Sequence, residues 1–210
     1  MIFSLPSVYP ITDRPLSSLS HCEQVAALSE GGASLIQLRD KSSASGEFYR
    51  DALDALALGR RLGVRIIIND RVDIALALGA DGVHLGQDDM PPEAARKLLG
   101  EEAIIGFSTH NQEQALAAAE KPVDYIGLGP IFPTSSKEKS DRLVGLEGLR
   151  RVRQSVEMPI VAIGGITLAN AREVLQAGAD SVAIISAILA DKSLITSRVR
   201  ALLSIHQSSG

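Results

Sequence analysis

Short apolar runs and longer amphipathic segments alternate along the whole chain. The runs are Ser7–Thr12, Leu35–Leu38, Arg65–Ile68, Gly82–Leu85, Ile104–Ser108, Tyr125–Ile131, Ile160–Ile163 and Ser181–Ile185. They are continuously hydrophobic rather than alternating in polarity, the pattern of strands covered on both faces. Helical patterns lie between them. Gly46–Leu62 carries Phe48, Ala52, Leu53, Ala55, Leu56 and Leu62 on one stripe. Ile166–Ala177 reads as a helix capped by Thr167 and closed by Gly178. Segments 21–30, 71–78, 91–99, 111–120, 145–156 and 192–206 fill the remaining slots. Strand–helix pairs repeated in this way predict a parallel sheet, either closed as a (β/α)8 TIM barrel or open and doubly wound. The count of eight runs favours the barrel, and no G-x-G-x-x-G follows the first of them. One domain over 1–210 is expected, with 207–210 as a frayed tail.

Composition narrows the function classes. The net charge of −4 gives no electrostatic footprint for nucleic acid or an anionic membrane. An anionic ligand must therefore be held by local groups. The single cysteine, Cys22, excludes an internal disulfide. The opening MIFSLPSVYPITDRP is too short and too interrupted by Pro for a signal peptide, and no apolar stretch is long enough to span a bilayer. A cytoplasmic location is the expectation, and homo-oligomer formation stays open.

In a barrel of this kind the chemistry stands at the C-terminal ends of the strands. In Ile36-Gln37-Leu38-Arg39-Asp40-Lys41, alternation puts Gln37, Arg39 and Lys41 on one face and Ile36 and Leu38 on the other. With the apolar pair toward the helices, the polar three face the barrel mouth. Such groups need anionic partners, either a ligand or an internal carboxylate. The third run ends in Asn69-Asp70-Arg71, where Asn69 and Asp70 read equally as a helix cap. The fourth ends in Gln87-Asp88-Asp89, a second carboxylate pair or a solvated loop before Pro91. Carboxylates from neighbouring strand ends beside cations suit Mg²⁺ held with a polyphosphate. His84, inside a strand, reads as a hydrogen-bonded core histidine. His110 reads as an acid–base group or as the flank of a helix. After the sixth run, Pro130 and Pro133 lead into Thr134-Ser135-Ser136-Lys137, and 138–144 has the polar character of a lid. The seventh ends in Gly164-Gly165 and the eighth in Ile185-Ser186, where a phosphate site recurs in barrels. Close strand–helix packing would equally explain the two glycines. Two anion sites on one rim imply that two substrates are joined.

These pieces together resemble the thiamine-phosphate synthase family along nearly the whole chain. The matching stretches are Tyr9–Asp13, IQLRDK at 36–41, INDR at 68–71, DGVHLGQDD at 81–89, IGFSTH at 105–110, GLGPIFPTSSK at 127–137, GLEGL at 145–149, PIVAIGGI at 159–166 and SAI at 186–188. The resemblance implies coupling of a hydroxymethylpyrimidine pyrophosphate to a thiazole phosphate, with Mg²⁺ as cofactor and small molecules as substrates. Carried over by position, Gln37, Arg39, Lys41, Asn69, Ser108 and Lys137 would contact the pyrimidine pyrophosphate. Asp70 and Asp89 would hold the metal. Thr134, Ser136, Gly165, Ile185 and Ser186 would bind the thiazole phosphate. Arg39 and Lys137 would act catalytically, neutralising the departing pyrophosphate. Ser136 stands where the family commonly has Thr, and Phe107 where a smaller aliphatic residue is expected.

Three other readings remain. A thiazole tautomerase of the same superfamily would use His110 for acid–base chemistry. A non-catalytic phosphate-ligand carrier would need Gly164-Gly165 but not the carboxylates. A sugar-phosphate isomerase would need an acid and base pair that the sequence does not offer convincingly.

Overall fold

A computed structural model describes residues 4–134 and 142–207, the side chains of residues 206 and 207 excepted. Its elements follow the alternation: β1 (Val8–Pro10), α1 (Arg14–Ser17), α2 (His21–Glu30), β2 (Leu35–Leu38), α3 (Ser45–Leu62), β3 (Arg65–Asn69), α4 (Val72–Leu78), β4 (Gly82–Leu85), α5 (Pro92–Leu99) and β5 (Ile104–Thr109). There follow α6 (Gln112–Ala119), β6 (Tyr125–Leu128), α7 (Gly145–Ser155), β7 (Ile160–Ile163), α8 (Ala171–Gln176), β8 (Ser181–Ile184), α9 (Ser186–Leu189), a 3₁₀ turn (Lys192–Leu194) and α10 (Ile195–Gln207).

The strands pair in parallel in the order β1-β8-β7-β6-β5-β4-β3-β2. A parallel bridge between Ile11 and Gln37 joins the two ends of that order, with Thr12 N–H donating to Gln37 O at 2.9 Å. The sheet therefore closes as a (β/α)8 barrel. Strand alternation sorts the apolar side chains into two cores. Tyr9, Ile11, Leu35, Ile67, Ile104, Tyr125, Val161 and Ala183 fill the barrel interior. Ile36, Leu38, Ile66, Ile68 and their counterparts face the helices. Both faces of each strand are buried, which explains why the runs lack alternation in the sequence.

The N-terminal rim is pinned by carboxylates. Asp81, Asp124 and Asp180, each just before a strand, accept the first or second amide of the neighbouring strand, from Ile66 (2.8 Å), Ile105 (2.7 Å) and Ile160 (2.8 Å). Arg96 holds Asp124 at 2.8 Å and Arg153 holds Asp180 at 3.0 Å. Across the helical shell α10 docks on α2, where Thr196 Oγ1 donates to Ala27 O at 3.0 Å.

One predicted helix is corrected. Residues 166–170 are not helical, and α8 begins only at Ala171. Thr167 is no cap: its N–H donates to Asn170 Oδ1 at 2.7 Å, so the Asx side chain holds the turn open before the helix starts. Gly178 does close the helix, at φ 110°. The short helices α1 and α9, with too few residues for a periodic signal, were not anticipated.

Candidate active site

The C-terminal rim gathers most of the predicted side chains. On β2 the expected alternation holds. Gln37, 2% exposed, points into the barrel and donates from Nε2 to Tyr9 Oη at 3.1 Å. Arg39 continues that face. Its N–H donates to Thr12 Oγ1 at 3.2 Å and its guanidinium meets Asp13 at 3.2 Å. Lys41 meets Asp70 in an ion pair. Both cations thus have internal carboxylate partners, as the bland reading of this strand required. The Lys41 side chain is 56% exposed, and pairs this open contribute only ~0–1 kcal/mol. An incoming phosphate could exchange for such a partner at little cost.

Asp70 has φ 62°, a left-handed conformation uncommon outside glycine. Its N–H still donates to His84 O at 2.8 Å, extending the β3–β4 ladder by one bond, and the turn brings its carboxylate to Lys41 and Asp89. Asp89 is fixed by the Gly86 N–H, which donates to Oδ2 at 2.6 Å. Burial, and after it the neighbouring Asp70 carboxyl, push the Asp89 pKa upward. The two predicted metal ligands are therefore in contact. Asp88 is exposed, as the solvated-loop reading had it. Asn69 follows Ile67 on the inward face of β3, opposite His84 in the register.

A polar line crosses the barrel below this rim. Tyr9 and Tyr125 hydroxyls lie 3.0 Å apart, Tyr125 Oη lies 3.0 Å from His84 Nδ1, and His84 Nε2 lies 2.9 Å from Ser108 Oγ. Burial raises the pKa of both phenols, so each stays protonated. His84 is the hydrogen-bonded core histidine expected. Gly106 and Gly127 leave it room: a β-carbon at Gly127 would lie 3.1 Å from His84 Cε1, and one at Gly106 would collide with His84 Nδ1 and the Tyr125 ring. After Ile104, the inward positions of β5 are thus Gly106 and Ser108. Phe107 faces the helices, within the outer core. His110 Nδ1 lies 2.8 Å from Gly129 O; a carbonyl only accepts, so Nδ1 carries the proton.

The second cluster lies diametrically across, since β3 and β7 are four strands apart in a closed order of eight. Gly164 and Gly165 have φ 100° and 63°. The chain after β6 runs along them, Ile131 N–H donating to Ile163 O at 2.9 Å and Phe132 N–H to Gly164 O at 3.0 Å. A β-carbon on Gly164 would lie 2.7 Å from Pro130 Cα, and one on Gly165 2.7 Å from Pro133 O. Close packing accounts for both glycines, against this loop rather than against a helix. It brings Thr134, exposed, beside Gly165. Ile185 stands at the N-cap of α9 and Ser186 opens it, next to β7 in the sheet order. Ser136 and Lys137 lie outside the described residues.

Behind Arg39 stands a group that sequence reasoning missed. Thr12 Oγ1 donates to Gln37 O at 3.2 Å and sits 2.8 Å from His21 Nδ1, which therefore carries the imidazole hydrogen. His21 Nε2 faces Asp40 Oδ2 at 3.6 Å, both buried and without a hydrogen-bond partner. Burial alone would raise the Asp40 pKa, but N–H and hydroxyl groups of Ser43 and Ser42 hold it well below the carboxylate range. Burial lowers that of His21. Asp40 could have been found from its place on the helix-facing side of β2. Tyr9 and Tyr125 gave no such signal, being apolar by every pattern.

Known proteins match this chain from end to end. The family model for thiamine monophosphate synthase matches residues 8–188. A thiamine-phosphate synthase of Chloroflexus aurantiacus is 47% identical over 203 residues, covering 95% of this chain and 94% of that one. One from Methanocella arvoryzae is 44% identical over 206 residues, 97% of each. A thiamine phosphate pyrophosphorylase structure from Pyrococcus furiosus superposes with a TM-score of 0.88 at 41% identity, covering 97% of both chains. The rim just described thus belongs to a transferase, and the chain is a member of the thiamine monophosphate synthase family.

Proposed function

We propose that this enzyme joins a hydroxymethylpyrimidine pyrophosphate to a thiazole phosphate, releasing pyrophosphate, with Mg²⁺ bound at Asp70 and Asp89. The observation that carries the reading is the contact of these two carboxylates beside Lys41 and within the rim that also bears Arg39. Two carboxyl groups this close repel when ionised, and a divalent cation suits such a donor pair. When bound, the ion supplies positive charge to the leaving diphosphate.

The chain's own residues divide the remaining work. Arg39 and Lys41 exchange Asp13 and Asp70 for diphosphate oxygens, and Lys137 adds a further cation from the loop after β6. Gln37, Asn69 and Ser108, on inward positions of β2, β3 and β5, hold the pyrimidine. Gly165, Thr134 and the Ile185–Ser186 amides hold the thiazole phosphate on the facing wall, and Ser136 is a further contact of it. This opposed arrangement places the thiazole nitrogen in line with the pyrimidine methylene and converts the encounter into an intramolecular one. As the diphosphate departs, the aminopyrimidine spreads the positive charge left on that carbon, and the nitrogen lone pair closes the new bond. No protein nucleophile takes part.

Mixing both substrates and measuring released pyrophosphate tests the reading. Turnover is expected with Mg²⁺ and is expected to vanish with a chelator. Asp70→Ala should lower turnover by at least about a hundredfold while leaving the far-ultraviolet spectrum intact. Full turnover in that variant, or in the chelated enzyme, would remove the proposal.

A further inference from the structure

Gln37, Tyr9, Tyr125, His84 and Ser108 come from five different strands, yet their polar atoms form one continuous line across the barrel interior. We propose that this line fixes the direction of the Ser108 hydroxyl, and that Tyr9, Tyr125 and His84 are positioning residues for a ring nitrogen of the pyrimidine. The inference rests on the proposed function, in which Ser108 touches that ring.

The direction follows from what each group can do. An amide nitrogen has no lone pair to offer, so Gln37 Nε2 donates to Tyr9 Oη. Tyr9 is 1% exposed. Were Tyr125 to donate to it as well, the Tyr9 hydrogen would be buried without an acceptor, at a cost of ~1–3 kcal/mol. Tyr9 therefore donates to Tyr125, and Tyr125 passes its own hydrogen to His84 Nδ1 at 3.0 Å. A neutral imidazole that accepts at Nδ1 carries its hydrogen on Nε2. That hydrogen goes to Ser108 Oγ at 2.9 Å. Ser108 has then accepted from below, and its own hydrogen is left for an acceptor at the half-exposed mouth. An unprotonated ring nitrogen is such an acceptor; a ring bearing N–H at the same place is not. The barrel floor thereby discriminates ring protonation and tautomer rather than charge. Stacking of the His84 and Tyr125 rings, with centroids 5.5 Å apart and planes at 27°, holds the two central members in place.

Two measurements test this on the full chain. In protein labelled with ¹⁵N-histidine, the long-range proton–nitrogen pattern of His84 is expected to be that of the Nε2–H tautomer near neutral pH. In Tyr125→Phe that preference should weaken. In steady-state coupling, Tyr125→Phe and Tyr9→Phe should each raise KM for the pyrimidine pyrophosphate about tenfold and leave KM for the thiazole phosphate within about twofold. His84→Gln, whose amide nitrogen replaces Nε2, should retain more pyrimidine affinity than His84→Asn, whose amide replaces Nδ1. An Nδ1–H tautomer in the unchanged protein would overturn the proposal, as would a Tyr125→Phe variant whose two KM values rise together or not at all. If a variant does not fold, the tautomer of the unchanged protein decides alone. That spectrum requires no turnover, so failure of the coupling assay sinks the assigned reaction without being mistaken for failure of the relay.

Discussion

A hydrogen atom in place of a methyl group at Gly106 keeps the centre of the barrel polar. A side chain there would occupy the space of the Tyr125 ring and His84 Nδ1, and Gly127 clears the other edge of the imidazole. Gly106→Ala is therefore expected to destabilise the fold by ~1–3 kcal/mol, the usual cost of forcing extra volume into a filled core. A lowered urea midpoint at unchanged slope would register it. Pyrimidine affinity should fall in the same variant, because His84 is displaced from Ser108. At this scale the sequence is uneven in what it shows. Gln37, Arg39 and Lys41 were legible because a strand's two-residue period separates them from Ile36 and Leu38. Tyr9 and Tyr125 were not, since their apolar bodies satisfy the core pattern while their hydroxyls meet each other over 116 positions of chain. The side on which Phe107 falls is not legible without a register. Once Ser108 is known to face inward, Phe107 must face out.

Secondary elements were legible where their termini carry a physical signal. Leu35–Leu38, Gly82–Leu85 and Ile160–Ile163 match the predicted runs residue for residue. Each is buried on both sides and bounded by polar residues, glycine or proline. The start of α8 was misplaced because Thr167 and Asn170 are both good caps on paper, and only the hydrogen bond from the Thr167 amide to Asn170 decides between them. The carboxylates before β4, β6 and β8 were not singled out, although each follows an alanine or valine in a similar turn. They anchor the rim away from the chemistry, where such contacts serve stability. Asp124→Ala would strip the acceptor from the Ile105 amide and the partner from Arg96. The expected loss is ~1–3 kcal/mol in unfolding free energy. KM for both substrates should stay unchanged, because this residue lies at the opposite end of the barrel.

The molecule as a whole carries a pH dependence that originates away from Asp70 and Asp89. His21 is buried among Thr12, Phe48, Asp40, Asp51 and Arg14, and desolvation depresses its pKa. In the unfolded chain it takes up a proton near pH 6.5. Its contribution is thus complete above that pH and lost as the pH falls toward the lower folded value, by up to ~1.4 kcal/mol per pH unit. Asp40, depressed as well, adds a second loss in stronger acid. Denaturation series between pH 7.5 and 5 should show this decline, and His21→Asn should flatten it. The barrel itself was legible from the count of eight runs. The contact that seals it was not, because the bridge involves only Ile11 and Gln37. Gln37 serves twice: its carbonyl joins the first and second staves of the cask, and its amide starts the proton line toward Ser108. The hoop is main chain and the sensor side chain, so a substitution can silence the second and leave the first, while a cut or deletion at Gln37 removes both. Substrates and product are consequently confined to traffic across the upper lip, and redesign by cutting the cask at that stave would forfeit ring selectivity together with closure.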